Sequence, residues 1–197
     1  MFVTLEGPEG AGKSTVMRGL ASRISEGGRE VVETREPGAG EFGSAVRDLL
    51  LHGEDIDPKT ELFLYLADRA EHVAKIVRPA LERGAVVLCD RHADSTVVYQ
   101  GYGRGLDLGL LRDLNAMATG GLKPDLTLLL DIDPAVGLSR TTKGDRLDRE
   151  PLEFHQKVRG GFLDEAKREP DRWVVIDASR SAEAVLDACW LAASARL

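Results

Sequence analysis

Gly7-Pro8-Glu9-Gly10-Ala11-Gly12-Lys13-Ser14-Thr15 is the stretch on which the fold turns. A glycine, four residues and then Gly-Lys-Ser is the Walker A pattern. Glycines are required because backbone N–H groups must wrap a phosphate chain at close range, and a Cβ would block both the turn and the approach. Lys13 is then placed along the outer phosphates, Ser14 offers its hydroxyl to Mg²⁺, and the helix that starts here aims its positive end at the anion. A glycine-rich turn can match by chance, so the flanks decide. Phe2-Val3-Thr4-Leu5-Glu6 alternates like a strand, and residues 14–24 carry Val16, Leu20, Ala21 and Ile24 on one helical stripe. Strand, loop and helix in that order point to phosphate binding.

Outward from this stretch the chain alternates. A second strand is expected over 30–34, running into Arg35-Glu36-Pro37-Gly38, then a short helix over 43–51 and a long one from Pro58 towards Glu82, bent near Pro79. Ala85-Val86-Val87-Leu88-Cys89 is a continuous apolar run ending in Asp90-Arg91, as are Leu126–Leu130 before Asp131 and Trp173–Ile176 before Asp177. Such runs mark parallel strands buried on both faces. Helices are expected between them, at about 108–118, 134–140, 150–168 and 181–195. The pattern predicts an α/β fold, a doubly wound sheet of five parallel strands with helices on both faces, in one domain spanning 1–197. Ligands in such sheets bind at the carboxyl ends of the strands. Residues 141–149 are polar and charged, which suits a mobile cover.

Composition narrows the partners. The chain has 197 residues, 43% hydrophobic and 30% charged, with 33 acidic against 26 basic residues and a net charge of −7. An acidic surface disfavours nonspecific nucleic-acid or membrane binding, so the functional cations should be gathered in one cleft. No apolar run approaches the roughly 20 residues of a membrane span, and the chain opens on a strand pattern rather than a signal peptide. The two cysteines, Cys89 and Cys189, lie in apolar runs and read as buried thiols. A cytoplasmic setting follows as the expectation.

The charged residues fall where the strand-end rule puts them. Asp90 ends a buried strand as a Walker B aspartate does, and is expected to reach Mg²⁺ directly or through water. Asp131 and Asp177 are read as capping or ion-pairing groups. From Asp90 the chain continues Arg91-His92-Ala93-Asp94-Ser95-Thr96-Val97-Val98-Tyr99-Gln100-Gly101-Tyr102-Gly103-Arg104, more hydrogen-bonding groups than a connecting loop needs. Arg91 can hold a second phosphate bidentately, and Ser95, Thr96 and Gln100 can recognise a polar planar group. Tyr65 and Arg69 are four apart and share a helical face, a ring beside a guanidinium that suits a stacked base; taken alone, they would be a core tyrosine and a surface charge. Arg140, Lys143, Arg146 and Arg149 surround the polar stretch after Pro134, where a solvated charge run is the alternative to a cover that neutralises a transferring phosphoryl group. The histidines at 52, 72, 92 and 155 have no metal-ligand spacing, no nucleophile elbow is present, and the guanine-reading Asn-Lys-x-Asp of GTPases is absent.

Four motifs together carry a resemblance: the Gly7–Ser14 loop, Thr34-Arg35-Glu36-Pro37-Gly38, Ala67-Asp68-Arg69-Ala70-Glu71-His72 and the run from Asp90 to Arg104. With Lys123-Pro124-Asp125 and Asp145-Arg146-Leu147-Asp148 they make the chain similar to bacterial thymidylate kinases over nearly its whole length. The resemblance implies a three-layer P-loop kinase fold with a short lid at about 141–149. It implies transfer of the γ-phosphoryl of ATP to dTMP, in dTTP biosynthesis, with Mg²⁺, in a homodimer. Gly7 to Thr15 and Arg140 would then bind ATP. Arg91 matches the arginine that holds the dTMP phosphate, Tyr65 the aromatic, usually phenylalanine, that stacks on thymine, and Arg69 the arginine that bonds a thymine carbonyl. Ser95, Thr96 and Gln100 fall at base-contacting positions, Tyr99 at the tyrosine that crowds the sugar 2′ position, and Glu9 at the acidic residue near the 3′-hydroxyl. Arg35 and Arg47 match basic residues on the acceptor side, with Pro37 of the same motif. The phosphate loop has no arginine of its own, which resembles the class whose lid supplies it, and Arg146 is the expected catalytic arginine alongside Lys13, Arg91 and Asp90. A kinase for another nucleoside monophosphate or a deoxynucleoside, and a nucleotide-dependent switch without an acceptor, are the competing readings.

Overall fold

The computed structural model describes every residue of the chain except Thr142, Lys143 and Asp145. Five parallel strands, β1 (Phe2–Glu6), β2 (Val31–Arg35), β3 (Val86–Asp90), β4 (Leu126–Asp131) and β5 (Trp173–Asp177), form one sheet in the order β2-β3-β1-β4-β5. The register brings the strand ends level: Arg35 and Leu5 both pair with Asp90, and Asp131 pairs with Asp177. One edge of the sheet therefore collects the charged residues that close the apolar runs.

Helices cover both faces because the central strands are apolar on both. Val3, Leu5, Leu88, Leu128 and Leu130 pack with α1 (Lys13–Glu26) and, near the chain's end, with the helix Ala182–Ser194. The opposite parity packs elsewhere: Leu129 meets Val98, Phe154, Phe162 and Trp173. Each fully buried side chain of leucine or phenylalanine size contributes about 1.5–3 kcal/mol, and this two-sided burial holds the layers together.

The helices follow in order: α2 (Gly40–His52), α3 (Pro58–His72), α4 (Arg78–Glu82), α5 (Ala93–Thr96), α6 (Leu108–Thr119), α7 (Pro134–Arg140), α8 (Leu152–Arg168) and α9 (Ala182–Ser194). Two departures from the sequence expectation matter. The long helix from Pro58 to Glu82 is continuous, but residues Val73–Val77 are π-helical, just before Pro79. Pro79 has no N–H for the Lys75 carbonyl and would crowd it, so the preceding turn widens. The other departure lies after β3. The polar run read as an enriched loop is helical from Ala93 to Gly103, α5 followed by a π-helical segment Val97–Gly103. Its hydrogen-bonding side chains sit on one wall and its valines in the core.

Candidate active site

Above the level strand ends lies a cavity of about 490 Å³. Its floor is the loop from Gly7 to Gly12. Gly7 and Gly10 have φ of 138° and 67°. A Cβ on Gly7 would meet the Leu130 carbonyl oxygen at 2.4 Å, and one on Gly10 the Gly137 carbonyl oxygen at 2.0 Å. The loop is wedged between the end of β4 and α7, and only glycine fits it. Lys13 Nζ donates to the Gly7 and Pro8 carbonyls at 3.0 and 2.9 Å. Burial and the neighbouring Arg91 push its pKa down to about 8, which leaves it a cation at neutral pH. Glu9 to Thr15 line the cavity, as does Arg140 at the end of α7, whose Nη1 donates to the Ala178 carbonyl at 3.4 Å.

Asp90 and Ser14 line the same cavity. Asp90 Oδ1 is buried with no hydrogen-bond partner among the described residues. A buried carboxylate oxygen with nothing to accept from suits a hard cation. Among the described residues no group of three or more acidic, histidine or cysteine side chains could hold a metal. A cation here would take its remaining ligands from phosphate oxygens and water, as Mg²⁺ prefers. Asp131 instead forms a two-point pair with Arg159 at 2.7 and 2.9 Å, and Asp177 accepts from the Ser179 N–H and hydroxyl.

Arg91 leaves β3 at φ 70°, the one non-glycine residue described with a positive φ. Its Nη1 donates to the Gly7 carbonyl at 3.0 Å and its Nη2 to Glu9 Oε1 at 2.9 Å, and its guanidinium lies 5.1 Å from the Tyr99 ring centre. The Tyr99 hydroxyl donates to the same Glu9 oxygen. From α8, His155 Nδ1 stands 3.5 Å from Glu9 Oε2. Burial alone would raise the Glu9 carboxyl, but Arg91, His155 and Lys13 outweigh it and hold Glu9 well below the usual carboxylate range. Glu9 in turn raises His155.

Arg69 is only 1% exposed and is held from three sides. Its Nε donates to Glu36 Oε2 at 2.8 Å, and its Nη1 to Thr96 Oγ1 at 2.8 Å and Asn115 Oδ1 at 2.7 Å. Those bonds leave Nη2 without a protein partner among the described residues, on a side chain that lines the cavity. Glu36 also holds His72 and His92 at 2.7 and 2.9 Å. Burial pushes Glu36 up, yet Arg69 and His92 bring it well below the usual range. The guanidinium is thus oriented before any ligand arrives. Tyr65, one turn earlier on α3, lines the wall beside it, with Arg35, Pro37, Arg47, Ser95, Thr96 and Gln100. Gln100 Nε2 donates to Glu61 Oε1 at 2.8 Å, and Arg47 Nη1 to the Pro37 carbonyl at 2.8 Å.

The cover cations separate. Arg140 lines the cavity, while Arg146 and Arg149 are not among its lining residues. Arg146 is buried against α2 and α3, its Nε on the Leu50 carbonyl at 3.0 Å and its Nη2 paired with Glu61. Arg149 is exposed, and Lys143 and Asp145 lie outside the described residues. Three carboxylates and a histidine that support the site, Glu6, Glu36, Glu61 and His155, are given no role by the sequence, although Glu36 lies inside the Thr34–Gly38 motif. His155 could have been found from its place beside Phe154 on the stripe of Val158 and Phe162, a buried face that carries His155 and Glu165 as its titratable groups.

The profile of the thymidylate kinase family matches residues 5–189. The chain is 54% identical over 197 residues to a thymidylate kinase of a Synechococcus species, covering 100% of this chain and 97% of the relative. It is 52% identical over 202 residues to one from Solidesulfovibrio magneticus, covering 96% and 97%. The crystal structure of thymidylate kinase from Ehrlichia chaffeensis superposes with a TM-score of 0.77 at 40% identity, over 89% of this chain and 91% of that one. The five-stranded sheet with its flanking helices is the P-loop kinase fold of that structure. With fold, phosphate loop and full-length likeness in agreement, the chain belongs to the thymidylate kinase family.

Proposed function

We propose that this chain, a dTMP kinase by family, transfers the γ-phosphoryl group of ATP to the phosphate of dTMP, giving ADP and dTDP for dTTP biosynthesis. The observation that carries the reading is one cavity lined at one end by Lys13 and the glycine loop and at the other by Arg91, Tyr65, Arg69 and Gln100. In phosphoryl transfer the protein positions two anions and neutralises charge, and it needs no covalent intermediate. The loop amides and Lys13 hold the donor phosphates. Ser14 and Asp90 would hold Mg²⁺, which would neutralise charge on the transferring phosphoryl group. Arg91 holds the acceptor phosphate in line. Tyr65 stacks on the base, Nη2 of Arg69 donates to a base carbonyl, and Tyr99 crowds the sugar beside Glu9.

The lid-arginine class is part of this proposal. Arg140 is the cover arginine already at the cavity; Arg146 takes a catalytic part by exchanging Glu61 for the phosphoryl group. A homodimer is proposed through α2, α3 and α6, which carry the exposed Phe42, Leu49, Phe63, Leu110 and Met117. No described helix is long and apolar enough to cross a membrane, and we propose a cytoplasmic setting.

The test is ADP release from ATP and Mg²⁺ with dTMP, dUMP, dCMP, dGMP, UMP and thymidine as separate acceptors. dTMP should give much the fastest turnover and thymidine none. Equal rates with dCMP or UMP would move the assignment to another nucleoside monophosphate, and ATP binding without turnover on any acceptor would leave a binding module.

A further inference from the structure

Glu6 closes β1, one residue ahead of the phosphate loop, and is 0% exposed. It does not line the cavity. A buried carboxylate at the end of a central strand costs desolvation that an apolar residue would avoid, so its bonds must repay it. Both oxygens are committed to one turn. Oε1 accepts the His92 backbone N–H at 2.8 Å and Oε2 accepts the Ser95 hydroxyl at 2.6 Å. That turn begins at Arg91, whose φ of 70° is strained for a residue with a Cβ. The Arg91 N–H is tied to the Leu5 carbonyl at 3.0 Å, and Ser95 Oγ stands 3.4 Å from Arg91 Nη1. The contacts run from Glu6 through Ser95 to the Arg91 guanidinium, and through His92 to the Arg91 backbone.

We propose that Glu6 is a positioning residue for the acceptor, a brace that holds the left-handed turn at Arg91 so that the guanidinium faces the cavity and Ser95 keeps its place on the wall beside it. This rests on the reading of Arg91 as the acceptor-phosphate ligand. Because Glu6 directly precedes Gly7, the same carboxylate sets the spacing between the loop that takes one phosphate chain and the arginine that takes the other. Burial, with the nearby charge of Asp94, raises Glu6 to about 7, the signature of a carboxylate kept in place at a cost.

The test compares binding of dTMP and of ATP with turnover in Glu6→Leu, Glu6→Gln and Arg91→Ala. Leucine fits the apolar strand but accepts no hydrogen bond. It should raise the KM for dTMP about tenfold or more through a displaced Arg91, while the KM for ATP stays within about twofold. Glutamine, which can accept from His92 and donate to Ser95, should restore most of the dTMP affinity. If leucine does not fold, Glu6→Asp, one methylene short of spanning both partners, should show the same split at smaller size. Unchanged dTMP binding in Glu6→Leu or Glu6→Asp, or equal loss for both substrates, overturns the proposal provided that Arg91→Ala loses dTMP. If Arg91→Ala binds dTMP as the wild type does, the acceptor reading itself fails, a distinct result that takes the brace with it.

Discussion

The two ends of the cavity are built by different means. At the phosphate-loop end the wall is one continuous stretch, Glu9 to Thr15, in a loop whose glycines pack against the Leu130 and Gly137 carbonyls. At the guanidinium end the recognising groups are side chains from α3, the turn after β3 and the π-helical segment, held by buried carboxylates: Arg69 by Glu36, Arg91 by Glu9 and Gln100 by Glu61. Backbone recognition is local in sequence and tolerant of its surroundings. Side-chain recognition depends on a network, so a change outside the cavity reaches inside it.

The largest expected effect is at the local end. Lys13→Ala removes a desolvated cation from the donor phosphates and should lower kcat by about 10²–10³, without changing thermal stability in proportion. A variant with near-normal turnover would remove the central claim. Glu36→Gln tests the networked end at the carboxylate that lines the cavity and holds Arg69. It leaves Arg69 and two histidines short of a buried carboxylate, and should cost on the order of 3 kcal/mol of stability as well as dTMP affinity. The sign of its pH dependence is set by its lowered pKa. The contribution is present above the ordinary value of 4.5 and is lost as pH falls towards the folded-state value. Wild type should therefore lose stability in thermal melts below that pH through a component absent from Glu36→Gln.

His155→Gln should be milder, about threefold to tenfold in kcat/KM for dTMP, through loss of the charge that stands 3.5 Å from Glu9. Its raised pKa works in the other direction. The charge on His155 is complete below its ordinary 6.5 and disappears as pH rises through the raised value, so kcat/KM should carry an alkaline decline that the variant lacks. An identical pH profile in both would detach His155 from Glu9. Smallest of all is Asp131→Asn. Its Arg159 pair is part-exposed, at 19% and 34%, and should be worth about 0.5 kcal/mol in a thermal melt with kcat unchanged. A catalytic loss there would blur the contrast between strand-end charges that serve the cavity and those that only cap the sheet.

Legibility in the sequence follows the same division. The strand–loop–helix opening, the apolar runs and their terminal charges announced a five-stranded parallel sheet, because period and burial are properties of neighbouring residues. Tyr65 and Arg69 could be paired by their four-residue spacing, but nothing nearby shows that Glu36, thirty-three positions away, holds the guanidinium. The polar run after Asp90 reads as a loop by composition and is a helix, since burial of Val97 and Val98 against the core outweighs the hydroxyls and glycines beside them. Arg146 stands out in the sequence by its motif and its charge. Its partner, Glu61, lies eighty-five residues back and can be known only once α3 is in place.

What the amino-acid order settled on its own is the glycine loop with its flanking strand and helix, and the strand pattern, both set by interactions between neighbours along the chain. Folding settled which polar side chains share a wall, which cations are already paired, and which buried carboxylates hold the rest in place. The reason is range: backbone geometry and hydrophobic period act between neighbours along the chain, whereas the charge on Glu9, the orientation of Arg69 and the turn at Arg91 are set by groups that meet only in space.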